Sequence, residues 1–536
     1  MSTKQETSSS TRTWTLVLSC ICAFMLILDL SVVAVALPSM QVSLNASLSE
    51  LQWVFDAYAV TLAALLVTAG SIADKYGRKF VFVFGLAVFT AGSLMCGIAN
   101  SALLLDLSRA AQGVGAAVLY AVGPALLSQE FRGKARANAF AAYGAATGIA
   151  AAAGPLIGGS LTSGPGWRWI FLMNVPIGLA MIPLALTKLK ESKAIGEARQ
   201  DIAGMVSLTA LLGSLVLAIT RGNPDGWFSA TNDLMYLIAF GSLVVLVTTT
   251  RSRQERALFE PAMFKNATFS GLCVATLLVN MCGFPFIFLT TSYLQSILGS
   301  SPWQAGIRLL PLTVTMLVLG AVTGELCKRV PFRVLLFVAC SCVGGGAFLT
   351  LMSDSTDDWT SLIPALVIVG IGFGIVMPVR AALSVSVLEP AKAGLASGIS
   401  ETFQQAGIAL GLAIGGAYFE NRVIHDFAKS TSGQALGADA TSAGRAVSAG
   451  AINAVSQTAP ALSSQIVSDA RAAFTTGFHD AMTLGVAFAA AGALVAVVLV
   501  SNRHLHPNAR LDGIPPELEE NGSDLAEGDP YISASI

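Results

Sequence analysis

The stretch WTLVLSCICAFMLILDLSVVAVAL, running from Trp14 to Leu37, decides how the rest of the chain is read. Asp29 is its one charged residue. At 1.5 Å of rise per residue a helix of this length crosses a hydrocarbon core of about 30 Å, and it is too long for the apolar core of a signal peptide. No small-residue cleavage site follows it. The stretch therefore reads as a first membrane span that stays in the chain. A lone carboxylate inside such a span costs on the order of 3 kcal/mol or more, so Asp29 is a functional candidate by default.

Composition agrees with lipid as the main solvent. The 536 residues are 54% hydrophobic and 12% charged, where soluble domains run near about 25% charged. A net charge of −1 gives no basic face for nucleic acid. The eight cysteines (20, 22, 96, 273, 282, 327, 340, 342) lie in apolar stretches without zinc-ligand spacing and read as small, lipid-compatible side chains. All four histidines (425, 479, 504, 506) fall in the last quarter, where no nucleophile–His–Asp set is apparent. Neither a G-x-x-x-x-G-K-[ST] loop nor a dinucleotide fingerprint is present. An enzyme, a metal centre and an ATP-driven pump are all poorly served by this sequence.

Further apolar segments follow the first, near 51–73, 80–99, 102–127, 137–162 and 167–187, then 202–220 and 233–250. The last six lie near 268–294, 303–326, 332–352, 360–385, 394–420 and 479–501, which makes fourteen expected spans. With the N-terminus in the cytoplasm, 22 of the 31 Lys and Arg residues fall on cytoplasmic segments and six fall outside, so the positive-inside rule puts both termini in the cytoplasm. Arg109, Arg308 and Arg380 remain. Arg308 sits near an outer interface where it can snorkel, and the other two lie within spans.

Shifting the sequence by 257 places residues 113–159 on 370–416 without a gap. Gly113 then meets Gly370, Gly115 meets Gly372, Gly154 meets Gly411, and Gly158-Gly159 meet Gly415-Gly416. Spans 4–5 thus match spans 12–13. An all-α architecture of two six-span bundles (14–187 and 268–501) with an inserted pair (202–250) explains the offset, and parallel repeats of this kind put a substrate cavity between the halves at mid-membrane.

Six motifs now carry a resemblance. GSIADKYGRK at 70–79 is similar to the loop 2–3 signature of the major facilitator superfamily. LDLSVVAVALP at 28–38, RAAQGVGAA at 109–117, GPLIGG at 154–159, GWRWIFLMNVPIG at 166–178 and AGIRLLPLT at 305–313 resemble motifs of its fourteen-span drug:proton antiporters. The sequence departs from that family where Ala34 replaces the usual Asn, around Ala150, and in the second-half copy GELCKRVPFR at 324–333. The resemblance implies a monomeric, proton-gradient-driven exporter of hydrophobic drugs in the bacterial plasma membrane, with no cofactor. An exporter of an endogenous metabolite, lipid or peptide working the same way is the alternative. A non-transporting membrane sensor gives no reason for buried carboxylates in paired bundles.

The resemblance assigns Gly70, Asp74, Gly77 and Arg78 to a conformational latch, where the residues alone would also suit a charged cytoplasmic turn. For Gly154, Pro155, Gly158 and Gly159 the residue types allow either close helix packing or a hinge, and the resemblance favours the hinge. Asp29, about 13 Å from the outer end of its span, and Asp56, about 8 Å from the outer end of the next, are expected near Arg109. Asp106 lies one turn from Arg109, and Gln112 one turn below it. Asp29 is then either the proton carrier or half of a structural ion pair, and Asp56 either a second carboxylate of the site or an interfacial one. Arg380 and Glu401 are expected to pair across spans 12 and 13, with Gln404 and Gln405 beside them, as a fixed bridge or as a second protonation or substrate site. Tyr58 and Phe288 are candidate cavity residues. The 421–478 loop is expected to hold an amphipathic helix near 446–472, and the tail from about 502 is acidic and reads as disordered.

Overall fold

The computed structural model describes residues 2–46, 48–131, 133–192, 201–253, 261–353, 358–387 and 393–501. The tail 502–536 and the side chain of Asp74 lie outside what is described. Among the described residues the chain is helical throughout, with no strand. The first half holds α1 (Ser2–Leu44), α2 (Leu48–Tyr76), α3 (Arg78–Ile98), α4 (Ala102–Glu130), α5 (Gly133–Ser163), α6 (Trp169–Leu172) and α7 (Asn174–Lys188). Next come α8 (Ile202–Asp225), α9 (Ala230–Arg253) and α10 (Pro261–Phe264). The second half holds α11 (Ala267–Ser296), α12 (Pro302–Arg308), α13 (Leu310–Arg329), α14 (Phe332–Leu349), α15 (Ile363–Ser386) and α16 (Ala393–Lys429). Short helices α17 (Thr431–Leu436), α18 (Ala440–Ser448) and α19 (Ile452–Thr458) lead into α20 (Ser463–Leu499).

Local chemistry sets several of these boundaries. Ser101 accepts from the Leu104 amide to cap α4, Asp201 from Gly204 to cap α8, and Asn266 from Thr268 and Phe269 to cap α11. Ser301 and Gln304 form a reciprocal capping box on α12. Proline stands inside α4, α5, α11 and α15, which helices surrounded by other helices tolerate.

The repeat seen in the sequence is a repeat of helix crossings. A Cβ on Gly113 would stand 2.7 Å from the Tyr58 carbonyl oxygen, where α4 crosses α2; Gly370 meets the Leu312 carbonyl in the same way, where α15 crosses α13. A Cβ on Gly115 of α4 would stand 2.7 Å from Gly85 O on α3, and one on Gly372 of α15 would stand 2.8 Å from Ala339 O on α14. Gly154 packs α5 on Ser31 of α1, and Gly411 packs α16 on Met281 of α11. Without a hydrophobic force between helices in lipid, such close backbone approach is a main source of attraction. The glycines are thus the fold's joints.

A helix stands at each of the fourteen expected positions. Twelve stretches among the described residues are long and apolar enough to cross a membrane. The other two positions are held by α2, whose stretch Trp53–Leu66 is apolar, and α16; they carry Asp56 and the Glu401–Gln405 run and pack on each other across the two halves. Helices shielded from lipid by a partner need less apolar surface. The helix expected near 446–472 is corrected. Gly450 breaks it with φ 84° as it closes on Ser296, and Pro460 follows, so α18, α19 and the start of α20 replace it. The last span is correspondingly the second part of a longer α20.

Overpacking a closed joint costs about 1–3 kcal/mol. Gly115→Ala and Gly372→Ala are therefore expected to lower the melting temperature of purified protein by several degrees, whereas Gly345→Ala, with nothing within 4 Å of its Cβ position, leaves it unchanged. Equal melting of all three would show that these crossings do not hold the helices together.

Candidate functional site

Asp29 sits on α1 with 1% of its surface exposed, facing Arg109 and Gln112 of α4 and Asn174 at the first turn of α7. Arg109 Nη1 donates to Asp29 Oδ2 at 2.5 Å and to Gln112 Oε1 at 2.7 Å. Gln112 Nε2 donates to Asp29 Oδ1 at 2.9 Å and to Ser93 Oγ at 2.8 Å. Asn174 Nδ2 completes the set at 3.1 Å from Asp29 Oδ1. The amide orientations follow from valence: a guanidinium only donates, so Gln112 turns its oxygen to Arg109 and its nitrogen to the carboxylate. Three N–H donors thus converge on the two oxygens of Asp29.

The cation is enclosed as tightly. Arg109 Nε donates to the Val54 carbonyl of α2 at 2.8 Å, and its guanidinium lies 4.2 Å from the centre of the Tyr58 ring and 5.6 Å from that of Phe171. A buried pair of this kind is costly to break, about 3–5 kcal/mol when one partner is removed, because the other charge is stranded. Tyr58 is accordingly part of the Arg109 enclosure. Asp56, two residues beyond Val54, is fully buried, and Asp106 lies within electrostatic reach of Glu50 and Arg109.

A second ion pair stands in the other half. Arg380 Nη2 on α15 is 2.6 Å from Glu401 Oε2 on α16, and Gln405 Nε2 donates to Glu401 Oε1 at 3.1 Å. Their exposures of 12% and 11% contrast with the sealed first pair. Tyr58 of α2, Tyr120 of α4 and Tyr143 of α5 all lie within electrostatic reach of Glu401, so the second pair faces the first half. Around it are polar atoms without hydrogen-bond partners: the hydroxyls of Tyr58 and Tyr120, Oε1 of Gln404 and of Gln405, and Nε of Arg380. Buried polar groups are normally satisfied. A cluster of unsatisfied ones between two halves is suited to receive a polar group from a guest molecule. Tyr143 was not singled out by its sequence context, and its position two turns into an apolar segment was the available signal.

The remaining candidates lie at the two ends. Phe288 of α11 packs edge-on against Phe55 of α2 with centroids 6.0 Å apart, so it joins the halves near the α1–α2 end. The GPLIGG segment does the same on two faces: Gly154 and Gly158 lie on Ser31 and Val32 of α1, while Gly159 and Pro155 lie on Pro302 and Gly306 of α12. Ser163 Oγ accepts from the Trp303 amide at 3.2 Å, and Gln295 Nε2 donates to the Val35 carbonyl at 3.1 Å. Arg308 donates to Ser300 Oγ and faces the Trp359 ring.

At the opposite end lies the 70–79 loop. Gly70 passes Ala121 of α4, Gly77 turns the chain with φ 118°, and Arg78 Nη1 donates to Gln129 Oε1 at 3.2 Å. Glu191, just past α7, accepts from the amides of Lys79 and Phe80 at 3.1 Å each, and the Arg78 amide donates to Ser192 O. A distant carboxylate therefore caps α3, satisfying amides that Gly77 has no side chain to bond.

The sequence profile described as Major Facilitator Superfamily matches residues 19–412. The chain belongs to the Major Facilitator Superfamily. It is a multi-pass membrane protein of a transporter family. Among relatives, a cephamycin export protein of Amycolatopsis lactamdurans is 34% identical over 418 residues, covering 77% of this chain and 86% of that one. A tetracenomycin C resistance and export protein of Streptomyces glaucescens is 32% identical over 77% of each chain. A multidrug transporter protein of Bacillus subtilis is 27% identical over 93% of this chain and 95% of that one. In fold the chain resembles a bacterial homologue of the human lysosomal transporter Spinster, with TM-score 0.62 at 16% identity over 94% of this chain and 99% of that one.

Two outcomes test the site. Arg380→Ala or Glu401→Gln alone strands a buried partner, so each is expected to lower stability and transport more than the double variant if the pair is only a bridge; a double variant as inactive as the singles assigns the pair a working role. Glu191→Ala removes both acceptors from the first turn of α3, costing about 1 kcal/mol, and hydrogen exchange at residues 79–82 is expected to quicken several-fold. Unchanged exchange there would refute the cap.

Proposed function

We propose that this chain is a proton-coupled exporter of hydrophobic antibiotics or related drugs in a bacterial plasma membrane. The observation that carries the reading is the sealed Asp29–Arg109 pair in the first half, set against a partly open, polar, unsatisfied cluster between the halves. The relatives named for export of, or resistance to, antibiotics support the substrate class. All fourteen helices cross the membrane in this reading, both termini are cytoplasmic, and one copy of the chain suffices. The α1–α2 end is then the outer end and the 70–79 loop is cytoplasmic.

Chemistry follows from that orientation. The contacts between halves at Val35, Phe55, Pro155–Ser163 and Phe288–Gly306 close the outer end, leaving the cytoplasmic side as the route to the centre. Asp29 is ionised here, having delivered its proton inward. Drug enters from the cytoplasm or inner leaflet and lies between Tyr58, Tyr120, Tyr143, Gln404, Gln405 and the Arg380–Glu401 pair. When the halves rock about the glycine joints the outer contacts part, and Asp29 takes a proton from outside as drug leaves. Protonation discharges Asp29 and frees Arg109 from its counter-ion, so the two states differ in where a buried charge is balanced. Latch residues Gly70, Asp74, Gly77 and Arg78 hold the cytoplasmic end in the outward-open state.

Drug susceptibility of an efflux-deficient host carrying the gene tests this reading. Expression is expected to raise the inhibitory concentration of several hydrophobic antibiotics at least fourfold. A proton uncoupler is expected to remove ethidium efflux, and Asp29→Asn to reproduce that loss with normal protein levels. Efflux that survives the uncoupler would end the antiport reading.

A further inference from the structure

Asn174 does not have the residue type of a proton carrier, yet it is one of three side chains that fix Asp29. Arg109 and Gln112 both reach Asp29 from α4, whereas Asn174 reaches it from α7, so the carboxylate ties three helices together. Asn174 is 1% exposed, and its amide lies at the break between α6 and α7, where Met173 separates the two helices. Resting on the reading of Asp29 as the proton-exchanging group, we infer that Asn174 is a positioning residue for that exchange. Its Nδ2–H on Oδ1 favours the ionised form of Asp29, and reversing that contact gives the carboxylic acid an acceptor for its O–H.

The reason is valence. A carboxylic acid needs an acceptor for its O–H, but the three side chains hydrogen-bonded to Asp29 here all donate to it. Gln112 Oε1 is engaged by Arg109. Asn174 is the one member of the set whose oxygen is not taken by Arg109, and turning its amide over presents that oxygen to Asp29. Moving α7 relative to α1 achieves the same release. The titratable and charged groups facing Asp29 are Arg109 on α4, Tyr58 on α2 and Cys96 on α3. Glu401 of α16 reaches Tyr58 from the other half, and Tyr143 of α5 faces the Arg380–Glu401 pair. Asn174 is uncharged, so replacing it changes hydrogen bonding to the carboxylate without altering that field.

The test is an infrared titration of the purified full-length protein, which needs no drug. The C=O stretch of protonated carboxyl groups is followed with pH, and the band lost in Asp29→Asn is assigned to Asp29. Losing one donor to a carboxylate favours its protonated form, so Asn174→Ala is expected to move the midpoint of that band upward by about one pH unit, a tenfold change. Asn174→Gln, which keeps an amide, is expected to restore part of the shift. If Asn174 only packs, both variants lower the melting temperature and leave the midpoint in place, which overturns the inference while the Asp29 reading stands. If no band disappears in Asp29→Asn, the Asp29 reading fails and the inference fails with it.

Discussion

A fully buried ion pair, Asp29 with Arg109, is the interaction on which the rest of the first half depends. Two charges sealed from water need partners close at hand, and five helices supply them, leaving Arg109 Nη2 without a hydrogen bond. The α1 helix supplies the anion, and α4 the cation and Gln112. Helix α2 supplies a carbonyl and an aromatic face, α3 supplies Ser93, and α7 supplies Asn174. Any change in the charge of Asp29 is therefore felt at once by these five helices, while α5 is joined to α1 by Gly154 and Gly158 instead. The proposed coupling needs no long pathway, because the carboxylate is in contact with the helices it would move.

The second half answers with a different design. Its ion pair is partly exposed, it faces tyrosines of the first half, and polar atoms around it lack partners. One half thus holds a sealed charge and the other a partly exposed polar surface; the proposed mechanism assigns proton exchange to the first and guest binding to the second. The glycine crossings repeated at an offset of 257 give both halves the same joints, so the asymmetry lies in side chains placed on a symmetric frame. Arg380 and Glu401 stand where the first half has Gly123 and Gly144, which is how one frame came to carry two chemistries.

Much of this was legible in the sequence, for identifiable reasons. A charged residue in an apolar run is conspicuous because lipid penalises it, so Asp29, Arg109, Arg380 and Glu401 stand out in the sequence alone. Glycines repeated at one offset marked the helix crossings. Asn174 did not stand out: it lies 145 positions from Asp29, carries no charge, and sits in MNVP at the head of a helix, where an Asn is ordinary. Glu191 was hidden for the opposite reason, being one charge in a charged linker. The helix expected at 446–472 failed because apolar periodicity carries no information about Gly450 closing on Ser296.

The most direct measurement is proton release on drug binding, recorded with a pH-sensitive dye in weakly buffered, purified protein mixed with ethidium. The wild-type chain, first equilibrated at acid pH, is predicted to release protons in step with ethidium bound. Asp29→Asn is predicted to bind ethidium and release none. Proton release by Asp29→Asn equal to that of the wild type would contradict the account, and would move the coupling group elsewhere in the protein.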